Sequence, residues 1–78
     1  MTNLKLIQEP VSGHIRIKEH SQYNNISAEK VILLENITAR LYGNIVHVVL
    51  KKGSRLYLHG IISGNVENEG GEIHIFQR

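Results

Sequence analysis

The feature that most constrains this chain is its similarity to itself at an offset of 17 residues. At that offset Leu41 falls on Leu58 and Ile75, Gly43 on Gly60, Ile45 on Ile62, Val49 on Val66, Gly53 on Gly70, and Leu56 on Ile73. Extended backwards, Val11, Ala28, Ile45 and Ile62 make one column, and Ile15, Ile32, Val49 and Val66 a second. Glu19, Asn36, Gly53 and Gly70 make a third. The string Val11-Ser12-Gly13-His14-Ile15 returns three offsets later as Ile62-Ser63-Gly64-Asn65-Val66. Apolar columns that persist with turn residues in phase indicate stacked structural units.

The units read as strands. Leu4, Leu6, Val11, Ile15 and Ile17 alternate with polar residues, as do Leu56, Leu58 and Ile73, Ile75. Such alternation marks half-buried strands. Ser27 to Tyr42 could be argued as helix, but Val31, Ile32, Ile37 and Thr38 are β-branched and no 3.6-residue period is sustained. At about 3.3 Å per residue one repeat spans roughly 55 Å of extended chain, enough for three short faces of a parallel β-helix. The expected inward residues are Ala39 and Leu41 on one face, Ile45 on the next and Val49 on the third, with Leu56 and Leu58 opening the following coil. Leu33 and Leu50 are expected to point outward, with Glu67 below them.

Corners are expected at Gly43/Gly60, Gly13/Gly64 and Gly53/Gly70, because positive φ costs glycine little. Asn36 suits the Gly53 column for a similar reason. Lys30 and His47 fall in the Gly13/Gly64 column, and Pro10 in the outward column of Asn44 and Ile61, where a missing N–H is tolerable. The register is poorest at Gln22 and Asn24, where either Tyr23 or Ile26 turns inward through a bulge or the edge is solvated. The expected fold is all-β, a short three-faced parallel β-helix (β-solenoid) of about four 17-residue coils. It occupies residues 1–78 as a single domain, with 1–10 as an N-terminal edge or cap segment and 11–76 as repeats.

Regularity matters because the chain has little else to hold it together. A domain of 78 residues buries roughly 60% of the surface that its unfolded chain exposes. Such small domains need a staple, a partner or a very regular core. Cysteine is absent, which excludes disulfides, cysteine-based zinc sites and thiol nucleophiles. Tryptophan is absent too, and Phe76 is the only phenylalanine. Nine basic residues against seven glutamates leave a charge of +2, too small to imply nucleic acid or a membrane surface as partner. Lys51, Lys52 and Arg55 are the densest basic cluster, and Glu67, Glu69 and Glu72 follow about one repeat later, which reads as a solvated mixed-charge surface. The first nine residues lack the apolar stretch of a signal peptide, and the longest apolar run, Val31 to Leu34, is far too short to span a bilayer. A soluble, cytoplasmic protein without membrane insertion is expected.

At the level of the rungs the sequence resembles the bactofilins, the polymer-forming cytoskeletal β-helix proteins of bacteria. The resemblance lies in Val11-Ser12-Gly13-His14-Ile15, Leu41-Tyr42-Gly43-Asn44-Ile45, Leu58-His59-Gly60-Ile61-Ile62 and Ser63-Gly64-Asn65-Val66. These share an apolar-x-Gly-x-apolar pattern with that family over roughly residues 11 to 76. The resemblance implies a right-handed three-faced solenoid and nucleotide-free self-association through coil ends. About four coils is fewer than that family's core, and no apolar or basic N-terminal tail of the membrane-attaching kind is visible. The resemblance transfers no catalytic residues.

The remaining chemistry-bearing residues do not converge on the 17-residue map. His14 and His47 fall in different columns and coils, and His59 and His74 share an outer face only diagonally, roughly 8 Å apart, which is marginal for one zinc. No aspartate exists to orient a histidine. Surface imidazoles are the plain reading; a trimeric β-helix enzyme whose histidines meet at a metal between subunits is the sharp alternative. No strand-to-helix turn follows Ser12 or Ser63, and no helix follows Gly70-Gly71 to hold an anion. Asn36-Ile37-Thr38 matches a glycosylation acceptor, which matters only in a secreted protein.

The outward columns are more informative. Arg40, Tyr57 and His74 share one, and Tyr42, His59 and Phe76 the next, so most of the aromatic residues gather on one face. Such residues are enriched at interface hot spots, and equally they form cross-strand ladders. The other candidate is the last, incomplete coil with Ile73, Ile75 and Phe76, an apolar edge open to strand addition. The expected protein is therefore non-enzymatic, needs no cofactor and no metal, and has itself as partner, or another protein. The candidate interface is Arg40, Tyr42, Tyr57, His59, Ile73, His74, Ile75 and Phe76. The rival reading is a small immunity- or antitoxin-like module that binds a different protein through the aromatic face.

Overall fold

The computed structural model describes residues 4–76, which form seven strands and no helix. They are β1 (Lys5–Ile7), β2 (Val11–Ile17), β3 (Ser21–Leu33), β4 (Thr38–Leu50), β5 (Arg55–Ile62), β6 (Val66–Asn68) and β7 (Glu72–Phe76). Every pairing is parallel, and each strand lies on a strand of the next coil. β1 and β2 pair with β3, β3 with β4, β4 with β5 and β6, and β5 with β7. The molecule is a β-solenoid of about four coils, and Lys5–Ile7 already forms the first rung.

The inner columns explain why a chain poor in aromatics holds together. Ile17, Ile26, Val31, Leu33, Ala39, Leu41, Ile45, Val48, Leu50, Leu56 and Leu58 are each buried to within 1% of complete. Side chains of one column touch the coil above and below, so each rung supplies half of the next rung's contacts. Lys51 Nζ lies 3.3 Å from Glu69, and Arg55 Nε 3.0 Å from Glu72, so the mixed-charge surface joins successive coils.

The 17-residue spacing holds where β4 lies on β5 and β5 on β7: Ala39 lies on Leu56, Leu41 on Leu58, Gly43 on Gly60 and Ile45 on Ile62, whereas β4 lies on β6 at an offset of 18. It fails earlier too. Val11 lies against Ile26, not Ala28, and Gly13 lies against Ala28, so neither Val11 nor Gly13 joins the column first assigned to it. Pro10, next to Val11, leaves the Asn44–Ile61 column with it. The bulge expected near Gln22 is present: the register shifts between Tyr23 and Ile26, Tyr23 lies on Leu41, and Ile26 is buried.

The third face corrects the expected phase. Ile15 lies on Val31, Val31 on Val48 and Val48 on Val66, while Ile32 lies on Val49 and Val49 on Glu67. Inward side chains there are Val31, Leu33, Val48 and Leu50, so Leu33 and Leu50 are core residues at 0% exposure, not outward ones. From inward Ile45 the next inward residue is Val48, an odd step, and one residue of slip exchanges the two faces of a strand. Val49 takes the outward side yet is only 9% exposed.

The Gly53/Gly70 corner is as expected. Asn36 and Gly53 hold φ of 62° and 76°, Gly70 holds 114°, and the Asn36 and Gly53 amides donate to the next coil's Lys52 and Gly70 carbonyls. Glu19, placed in that column by the repeat, has no positive φ.

Candidate interaction surface

The eight candidate residues come together on β4, β5 and β7. Arg40 pairs with Tyr57 and Tyr57 with His74; Tyr42 pairs with His59 and His59 with Phe76. Parallel in-register strands lie about 4.8 Å apart, which sets rings of one column face to face. The centroids of Tyr42 and His59 are 4.5 Å apart, those of His59 and Phe76 4.6 Å, and those of Tyr57 and His74 5.1 Å. The ring planes differ by only 9–15°. Each such pair adds about 0.5–1.5 kcal/mol beyond its area.

Stacking decides what this face can offer. The ring faces cover one another, so the side of the ladder presents ring edges, two phenol hydroxyls and imidazole nitrogens. Only the terminal rings, His74 and Phe76, have no ring on the next rung among the described residues. The Arg55–Glu72 pair flanks the ladder on one side, and Ile61, 56% exposed, on the other.

Ile73 and Ile75 sit on the opposite side of β7, over the core columns of Leu56 and Leu58. Ile73 packs on the core, but Ile75 and Phe76 remain 44% and 48% exposed. Main-chain direction is fixed by one bond. The Glu72 amide donates to the Ser54 carbonyl at 2.8 Å, toward β5. Groups alternate along a strand, so Glu72, His74 and Phe76 bond inward to β5, whereas Ile73 and Ile75 aim their N–H and C=O groups at the free edge.

The histidines divide by role. His59 and His74 belong to the ladder. His20 and His47 do what the repeat did not reveal: their Nδ1 atoms accept from the Thr38 and Asn65 amides, at 3.0 and 3.2 Å, each 18 residues onward. His14 lies 3.7 Å from Glu29 and shares a column with Lys30 and His47, which corrects the expectation of separate columns. Among the described residues no three His, Cys, Asp or Glu side chains gather as a metal site would require.

Two groups titrate away from their usual values. Hydrogen bonding with Glu67, and then the Lys51 ammonium, hold the Glu69 carboxyl below the ordinary carboxylate range. Burial, with the Glu19 charge second, pushes the Tyr23 phenol up. Both lie away from the ladder.

These features define a class, a small parallel β-solenoid with a ring ladder running to an open apolar edge. Among known proteins, no family model, curated protein or solved structure matches the chain. No helix among the described residues is long and apolar enough to cross a membrane.

Proposed function

We propose that this chain is a non-enzymatic structural β-solenoid that associates with copies of itself, in the manner of the bactofilins it resembles. The observation that carries the reading is the edge strand β7. It combines main-chain groups at Ile73 and Ile75 that have no partner strand among the described residues with side chains 44% and 48% exposed at Ile75 and Phe76. An edge that is both apolar and unpaired is a template for strand addition. Ile75→Lys places a charge in the inner column where a second copy would seat. The expected result is a folded protein of lower native mass across a concentration series, by light scattering, with unchanged far-ultraviolet circular dichroism. A wild-type mass equal to one chain at every concentration overturns the reading. Electron microscopy of the concentrated protein separates filaments from a closed oligomer.

A second reading is supported by the ladder. Tyr42, Tyr57, His59 and Arg40 fit an interface with a different protein, as in immunity or antitoxin modules. A charged substitution at Tyr57 that leaves the oligomeric mass intact but abolishes capture of a partner favours it.

A further inference from the structure

The two ends of the solenoid differ in one inner column, while each leaves an apolar side chain about half exposed, Leu6 at 50% and Ile75 at 44%. At the N-terminal end the column of Ser21, Ala39, Leu56 and Ile73 terminates in Lys5, whose ammonium lies 3.7 Å from Glu19. Continuing the coils head to tail would set Lys5 of one copy over Ile73 of another, and desolvating an ammonium there is costly. At the C-terminal end the same column finishes in Ile73, and its neighbour in Ile75.

The strand β7 is complementary to itself. Two copies that meet across a two-fold axis pair residue i with residue 2c − i, where c is the residue on the axis. Such pairing always sets inward side chains on inward ones, as a sheet with one buried face requires. Placing His74 on the axis uses all five residues of β7. An axis through Ile73 or Ile75 leaves part of the strand unpaired. With His74 central, Ile73 faces Ile75 of the second copy, and these are the residues whose N–H and C=O groups point outward. Each Ile73–Ile75 pair then exchanges two main-chain hydrogen bonds. Ile73 and Ile75 continue each other's core columns, and His74 meets His74 of the second copy, joining the two ladders at their open rings. Glu72 lies opposite Phe76 of the second copy.

We propose that two copies of this chain join tail to tail through antiparallel pairing of β7, with the two-fold axis at His74. The inference rests on the self-association proposed above and adds its polarity and register. Among the described residues the other two faces have no strand on the rung of β7, so the joint is one continuous sheet rather than a closed tube.

The absence of cysteine makes cross-linking the test. In this register His74 faces its own copy as a non-hydrogen-bonded pair, with Cα atoms about 4.5 Å apart, within disulfide reach. H74C incubated with oxidised glutathione is expected to give a disulfide-linked dimer. H74C also removes a ladder ring, so a second arm leaves His74 in place: E72C mixed with F76C. That mixture should give the mixed dimer in large excess over either homodimer. Cross-linking of L6C to H74C, with none in the mixture of E72C and F76C, shows head-to-tail stacking. That result overturns the tail-to-tail register while leaving self-association standing. No cross-link in any arm, with wild type at the mass of one chain, overturns both.

Discussion

At the scale of single residues, the glycines are not equivalent. At Gly43, with φ of 145°, a Cβ would run into the Ile26 carbonyl, and at Gly60 into the Gly43 carbonyl. Both obstacles are main chain of the coil above, held by its own ladder, and cannot move aside as a side chain would. Gly13 has φ of 85° but nothing within 4 Å of the Cβ position. Gly13→Ala therefore costs the conformational penalty alone, about 1–2 kcal/mol. Gly60→Ala adds an overlap that forces two rungs apart, and should cost about 3 kcal/mol or more. Urea unfolding of both variants checks the contrast. Equal losses would show that the coils separate cheaply at this corner. Since a domain of this kind has only about 5–15 kcal/mol in hand, Gly60→Ala is also the variant in which yield should fall.

Strands and corners show where the sequence was informative. Within β4, β5 and β7 every pairing keeps the 17-residue offset, so the inner columns Ala39–Leu56–Ile73 and Leu41–Leu58–Ile75 and the ring columns beside them were legible from residue types alone. The candidate surface was legible because it lies in this regular part. Elsewhere the strands were readable but the corners were not. From β2 to β3 the offset is 15 and then 16, and from β3 to β4 it starts at 18. Periodicity reports only how residues alternate within a strand; the number of residues spent in a corner depends on local turn geometry, and no repeated residue type marked it at Val46 and His47. One residue of error there exchanged Val48 and Leu50 for Val49. The His20 and His47 bonds to main chain were hidden for the same reason, since both span 18 residues. The corrected phase makes a clear demand. Leu50→Lys buries a charge among Leu33, Ile17 and Leu56, and should unfold the protein or cost more than about 4 kcal/mol. Ile32→Lys, one strand position from Leu33, should cost about 1 kcal/mol. Thermal unfolding followed by circular dichroism separates the two, and the reverse order would restore the phase first expected.

On the scale of the whole molecule, a small core and an open end are linked. Stacking satisfies each rung through its neighbours, so the terminal rung gives up contacts that every internal rung has. The N-terminal rung limits that loss with a charged inner residue, Lys5, paired with Glu19. The C-terminal rung has no charged inner residue and leaves Ile75 and Phe76 about half exposed, as Leu6 is at the other end. If a second copy covers them, association and folding share one free energy, and stability must depend on protein concentration. For a dimer that unfolds to single chains, each tenfold increase in concentration contributes about 0.7 kcal/mol per chain. For a domain of this size that raises the unfolding midpoint by about 3–6 °C. Across a hundredfold range the wild-type midpoint should therefore climb by roughly 6–12 °C. Ile75→Lys should lie on a flat line near the wild-type value at the lowest concentration, because it removes the partner without opening the core beneath Leu58. Calorimetry or circular dichroism at matched scan rates makes the comparison. A flat wild-type line that coincides with that of Ile75→Lys would mean that the solenoid stands alone with its last rung open, its stability coming from the inner columns of Val, Ile and Leu without help from a second copy.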